Sequence, residues 1–217
     1  EAGAFGSAAF RRQIERRDYS DLVGLCDALR LSTELRVLDL RGTNLADLGC
    51  KIIANLLAEA RAPPIVSLLL ASNQLGNASA TWLAHAIRQH QTLAHVDVSS
   101  NSIGAVGAST LAASLPLSAS LTSFGIGHND IGDDGGEAIL SAAGRCHALA
   151  TLDMEHNRIG IGGGLKTKLL LQRMLLTPLT LTQLQLRGNG FSLTGRRELH
   201  RALASGPNKT QLSLTLT

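Results

Sequence analysis

The apolar residues of this chain repeat one eleven-residue phrase six times. Leucine or a close equivalent stands at places one, four, six and eleven, and a polar residue, usually asparagine, at place nine. The first copy sets Leu35, Leu38, Leu40 and Leu45 around Thr43, and the second sets Ile65, Leu68, Leu70 and Leu75 around Asn73. Leu93, Val96, Val98 and Ile103 follow with Asn101, then Leu121, Phe124, Ile126 and Ile131 with Asn129. The last two full copies are Leu149, Leu152, Met154 and Ile159 with Asn157, and Leu181, Leu184, Leu186 and Phe191 with Asn189. Their starts are separated by 30, 28, 28, 28 and 32 residues (35, 65, 93, 121, 149, 181). A seventh copy begins near Lys209 and keeps Leu212 and Leu214. Two apolar sites spaced by two predict a short strand with one buried face, which turns the residue between them, such as Asp97 or Asp153, to solvent. The asparagine turns the chain out of the strand, and its amide can pair backbone groups the turn would otherwise bury. Thr43 interrupts that column, as suits an end repeat.

The second half of each copy predicts a helix. Apolar pairs spaced by four lie on one helical face. They are Leu25/Leu29, Ile53/Leu57, Leu83/Ile87, Leu111/Leu115, Ile139/Ala143, Leu171/Leu175 and Leu199/Leu203. The loop at Pro63 and Pro64 absorbs two extra residues in the first copy. The fifth copy carries four more between Gly163 and Leu171, about one helical turn, which lengthens a helix without rotating its buried face. Gly107, Gly135 and Gly195 stand where strand gives way to helix and imply tight backbone there.

A period in the twenties with this pattern is that of a leucine-rich repeat solenoid, an α/β horseshoe with a parallel concave sheet and convex helices. The junctions Ile103-Gly104-Ala105-Val106-Gly107-Ala108 and Ile131-Gly132-Asp133-Asp134-Gly135-Gly136 resemble those of the ribonuclease-inhibitor-like class. That class includes ribonuclease inhibitor, NOD-like receptor repeat domains and Ran GTPase-activating proteins. The expected organisation is an N-terminal capping helix region over 1–34, then a repeat domain over 35–217 with six full repeats and a truncated seventh. Within the cap, Phe10, Ile14 and Tyr19 lie among Arg11, Arg12, Arg16 and Arg17, a pattern also compatible with a targeting or partner-binding helix. The start at Glu1 without Met and the stop in mid-repeat suggest a piece of a longer or processed protein.

Composition narrows the function. Aromatic residues are 3% of the chain, so aliphatic side chains must build the core. No apolar run reaches the ~18 residues of a membrane span. Cys26, Cys50 and Cys146 fall on different helical halves without the cysteine-rich caps of extracellular repeats, which places the chain in the cytoplasm with reduced thiols. The sequons at Asn77 and Asn208 weigh little against that. A net charge of +3 conceals a banded distribution. Seven acids (Asp97, Asp130, Asp133, Asp134, Glu137, Asp153, Glu155) face one base, Arg145, between 97 and 155. From Lys166 onward eight bases (Lys166, Lys168, Arg173, Arg187, Arg196, Arg197, Arg201, Lys209) face Glu198 alone.

The exposed strand positions form the candidate site: Arg41, His95, Asp97, His128, Asp153, Glu155, His156 and Arg187, flanked by Arg36, Gln183 and Gln185. Their chemistry suits a protein partner with a basic patch; the alternative is a solvated surface in which Asp133 and Asp134 merely favour a helix N-terminus. His128 and His156 hold equivalent places in adjacent repeats, but no H-x-x-x-H or C-x-x-C spacing supports a metal. The bases of the last third form no single stripe and lack stacking aromatics, which argues against nucleic acid. No nucleophile–base set or cofactor motif can be assembled, so the chain is expected to be non-catalytic. The expected function is that of a scaffold or adaptor binding through the concave face inside a eukaryotic cell. The resemblance leaves open a GTPase-activating role, testable at Asp130 or Arg158, and a NOD-like receptor fragment. Membership of a large assembly, cytoskeletal or ribosomal, is the remaining alternative.

Overall fold

Each copy of the phrase folds as a three-residue strand, a turn and a helix, and the copies stack in chain order. The computed structural model describes residues 4–5, 19–160, 165–177, 179–208 and 211–216. Eight strands form one parallel sheet in sequence order. They are β1 (Ala4–Phe5), β2 (Val37–Asp39), β3 (Ser67–Leu69), β4 (His95–Asp97), β5 (Ser123–Gly125), β6 (Thr151–Asp153), β7 (Gln183–Gln185) and β8 (Ser213–Thr215). Seven helices alternate with them among the described residues: α1 (Ser20–Leu29), α2 (Ala46–Ala58), α3 (Asn77–Gln89), α4 (Ala105–Ser114), α5 (Gly132–Ala143), α6 (Leu165–Leu175) and α7 (Leu193–Ser205). Pro116 ends α4 in a 3₁₀ turn over Leu115–Leu117, since it offers no N–H to continue the ladder. Phe10 and Ile14, which carry the expectation of a capping helix, lie outside the described residues. Tyr19 lies within them, and its hydroxyl donates to the Leu45 carbonyl at 2.9 Å, tying the start of α1 to the first repeat.

Register is uniform. Leu38, Leu68, Val96, Phe124, Leu152, Leu184 and Leu214 are direct partners across the sheet. All but Leu214 are buried, and with the apolar helix faces they form one core running along the stack. Of the predicted helix pairs, Leu25 and Leu203 are partly exposed and the rest buried. Both exceptions belong to the first and last helices among the described residues.

The asparagine column works as expected. Asn73 Oδ1 accepts from the backbone N–H groups of Thr43 (3.0 Å) and Leu45 (3.1 Å) in the preceding repeat, while its Nδ2 donates to the Leu40 and Leu70 carbonyls. Asn129 and Asn157 repeat one of these backbone bonds each, from Ile103 N–H and Asn129 N–H, and Asn101 and Asn189 repeat both across their junctions. The last of these bonds crosses the four-residue insertion, whose residues 161–164 lie outside the description. Thr43 manages only the Leu40 carbonyl (2.8 Å) and a contact with Asn73 Oδ1 (3.1 Å).

A second polar ladder runs along the helix N-termini. Asp47 Oδ1 accepts from Gly76 N–H (2.8 Å) and Ser79 N–H (3.2 Å), thereby capping the helix of the next repeat. Asn77 Oδ1 likewise takes Gly104 N–H (2.9 Å) and Gly107 N–H (3.0 Å), and Asp133 Oδ1 takes Gly160 N–H (2.6 Å). Ala105 has no acceptor, so the ladder skips that junction. Gly107 and Gly135 lie inside helices rather than at the strand-to-helix joint. A Cβ on Gly107 would come within 2.9 Å of Ile103 Cγ2 and 3.1 Å of Ala80 Cβ, and one on Gly135 within 2.9 Å of Ala108 Cβ. Close helix packing, not backbone conformation, requires these two glycines.

Candidate functional site

Because the leucines take the inner face, each strand offers its alternate residues to the concave side. Register aligns these into rows. One row reads Val37, Ser67, His95, Ser123, Thr151, Gln183 and Ser213. The next reads Asp39, Leu69, Asp97, Gly125, Asp153, Gln185 and Thr215. Asp39, Asp97 and Asp153 thus occupy alternate rungs, and Gly125 separates the last two.

The three carboxylates share one local geometry. Each accepts the backbone N–H two residues on: Asp39 from Arg41 (3.1 Å), Asp97 from Ser99 (2.9 Å) and Asp153 from Glu155 (2.9 Å). They differ in what faces them. Arg41 closes a bidentate pair on Asp39, with Nε to Oδ1 at 3.0 Å and Nη2 to Oδ2 at 2.8 Å. Asp97 has Ser99 two residues on, and Asp153 has Glu155. Among the described residues no cation lies within ion-pair distance of Asp97 or Asp153. The field of Asp97 does reach Arg41, whose guanidinium is held charged more firmly still by its hydrogen bonds to Asp39. Burial pushes the Asp153 carboxyl above its ordinary range. The Glu155 N–H opposes that rise, the charges of Glu155 and Asp97 add to it, and His128 reduces it.

Gly125 leaves an opening between the two aspartates. A Cβ there would meet Asp97 Oδ1 at 3.1 Å and Ser99 Oγ at 3.3 Å, while one at Gly127 would meet the Asp153 oxygens at 3.1 and 3.2 Å. Each carboxylate leans over a glycine. The resulting concavity, ≈ 260 Å³, is rimmed by Leu69, His95, Ser99, Ser123 and Thr151 along with the two aspartates, above strands whose Val96 and Phe124 side chains are buried in the core.

His128 and His156 sit at the sheet's edge, not on its strands. Their rings stack at 4.3 Å between centroids, inclined by 19°. Both occupy the left-handed region (φ 54° and 51°), as do Gly42, Ser72, Ser100 and Gly188 at the same place before the asparagine column. The His156 ring lies over Gly188, where a Cβ would fall 2.2 Å from it. Among the described residues, no group of three histidine, cysteine or carboxylate side chains is arranged to hold a metal. Arg187 is exposed at the far end of the same face, and Arg36 at the near end donates to the Thr33 carbonyl. Asp130 and Arg158, the loop pair singled out from the sequence, bind each other across adjacent repeats at 3.2 Å. Burial raises the thiols of Cys26 and Cys146 to about 11 and that of Cys50 to about 12, as packed core groups rather than nucleophiles.

Reading the charged residues alone missed Asp39, which offsets Arg41, and Gly125, which opens the concavity. Aligning the residues between the leucines as columns would have exposed both.

A leucine-rich repeat family model matches residues 89–112 and 118–140. No curated protein matches the chain. Among solved structures, Leiomodin-1 Actin-Binding Site 2 (ABS2) superposes with a TM-score of 0.57 at 20% identity, over 74% of this chain and 88% of that one. The tropomodulin C-terminal domain of Caenorhabditis elegans superposes with a TM-score of 0.55 at 14% identity, over 87% of this chain and 95% of that one. At these identities the likeness is one of fold.

Proposed function

Because the chain is a leucine-rich repeat protein, we propose that it acts as a non-catalytic scaffold or adaptor that holds a protein with a basic patch on its concave face. Asp97, Asp153 and Glu155 form the centre of that surface, with His95, His128 and His156 beside them and Arg41 and Arg187 toward its ends. One observation carries the reading: Asp97 and Asp153 are partly desolvated carboxylates without an ion-pair partner among the described residues, on a sheet face that no described element covers. Partly buried charges gain more from a partner cation than solvated ones do, and they fix its register. The three buried cysteines are free thiols, which supports a reducing compartment and the cytoplasm as the place of action. The repeat unit spans 35–217, with 1–34 as its cap.

The test is affinity capture from native lysate with the wild type and with Asp97→Lys, Asp153→Lys, Glu155→Lys. Loss of a wild-type partner from the variant supports concave binding. Retention of every partner moves binding to the helices and removes the proposal. Purified actin belongs among the baits because Leiomodin-1's solved region is an actin-binding site; co-sedimentation that survives the triple change would put actin elsewhere on the molecule.

A further inference from the structure

The molecule contains an internal example of the ion pair that Asp97 and Asp153 lack among the described residues. Asp39, Asp97 and Asp153 sit in one row with the same backbone N–H clamped to one carboxylate oxygen. At Asp39 the acceptor is satisfied within the chain by the Arg41 guanidinium, in a two-point contact of 3.0 and 2.8 Å. At Asp97 and Asp153 the residue that would supply a guanidinium is Ser99 or Glu155. Between those two aspartates the row is vacant at Gly125, and the ≈ 260 Å³ concavity lies there. It is lined by Leu69 and by the strands at Val96 and Phe124, whose side chains are buried in the core, and its rim carries the hydroxyls of Ser123 and Thr151.

We propose that the opening over Gly125 receives one arginine side chain of a partner protein, its guanidinium held between Asp97 and Asp153. This rests on the reading of the concave face as the binding surface and adds the occupant's chemistry. A planar fork suits two carboxylates that are already oriented, each with an oxygen left free by its backbone clamp; an ammonium makes a point contact and gains less from that geometry. Leu69, which lines the same concavity from the concave row, offers apolar contact to the methylene stem. The raised Asp153 carboxyl agrees with a site whose charge is uncompensated until the partner arrives.

The probe is N-acetyl-arginine methylamide, titrated into the whole chain at low ionic strength and followed by amide chemical shifts. The lysine and citrulline analogues serve as controls. Saturable shifts are expected to concentrate on residues 97–99, 123–127 and 151–155, with the lysine analogue at least about threefold weaker and the neutral citrulline silent. Gly125→Leu fills the opening with the side chain that Leu69 already carries in the same row, and should abolish the shifts. Asp97→Asn and Asp153→Asn should each weaken them and keep the proposal testable if the leucine variant fails to fold. Equal binding of lysine, shifts spread over Asp134 and Glu137, or indifference to all three variants would overturn it. If lysate capture still depends on Asp97, Asp153 and Glu155 while the arginine probe is silent, the arginine site falls and the concave surface stands. If capture ignores those residues, the surface reading falls as well.

Discussion

His156 shows how a single residue position in this repeat carries backbone strain. The place before the asparagine column is left-handed in all six full repeats, at a cost of roughly 1–2 kcal/mol for a residue with a Cβ. Glycine meets the demand at Gly42 and Gly188, whereas His128 and His156 accept it and stack. Gly188 answers a second demand, because the His156 ring occupies the space of its missing Cβ. Gly188→Ala should therefore destabilise the fold by more than the left-handed cost alone. His156→Ala should restore the excess and leave the backbone share. Chemical denaturation of the two single variants and the double reads the coupling; strictly additive effects would contradict the contact. His90 makes a different residue-scale case. Its Nε2 bonds the Pro63 carbonyl at 3.0 Å, whereas Nδ1 is buried without a partner. Burial lowers its pKa below the ordinary 6.5, and the carbonyl only partly compensates. As pH falls below about 6.5 the unfolded chain takes up this proton before the folded one does, so stability drops through that window toward the lower folded value. His90→Gln keeps a donor for Pro63 and cannot titrate. Its melting temperature should fall less than the wild type's between pH 7 and 5.5.

At the scale of elements, α3 and α4 depend on the preceding repeat for an N-terminal cap, whereas α7 is capped by its own Ser192. Asp47 serves α3 and not its own helix, Asn77 serves α4, and Asp133 serves the turn at Gly160. Nicking one cap therefore loosens the junction between repeats rather than one helix. Asp47→Ala should cost about 1 kcal/mol, the usual worth of an N-cap. Burial pushes the Asp47 carboxyl up, but hydrogen bonds from Ser79 and from the Gly76 and Ser79 amides outweigh it and leave the pKa lowered from 3.8. A lowered value means the unfolded chain binds the proton first. The cap's contribution is present above about pH 4 and disappears as pH falls below it, so wild type and Asp47→Ala should converge toward pH 2–3 in denaturant titrations. A gap independent of pH would show that the carboxylate charge is not the source. These elements were legible in unequal measure. The strand row and the asparagine column followed from spacing, because burial and turn geometry impose them on every copy. The cap ladder is also a column, two places after the last apolar site, but it crosses repeats and breaks at Ala105. The left-handed places were not legible, since Ser72, Ser100, His128 and His156 give no sign of φ by their identities. Gly125 was missed because what matters there is a side chain that is absent.

For the whole molecule, charge banding and charge docking make different demands. The acids between 97 and 155 divide between faces: Asp97, Asp153 and Glu155 on the sheet side, and Asp133, Asp134 and Glu137 on α5 at the outside. Long-range steering depends on their sum, whereas register depends on the ones that touch the partner. Two double variants remove the same charge. Asp97→Asn with Asp153→Asn strips the concave pair; Asp134→Asn with Glu137→Gln strips α5 and spares the capping Asp133. With a partner in hand, each should slow association by less than about threefold, and raising salt should erase that difference, because exposed charges beyond about 10 Å are screened at 0.1 M. The concave pair alone should speed dissociation, by about tenfold or more, because that change removes contacts formed only in the bound state. Surface kinetics at two salt concentrations separates the terms. Equal effects on dissociation from both variants would mean that the acidic band acts as a diffuse field and that the rows of the sheet carry no register of their own.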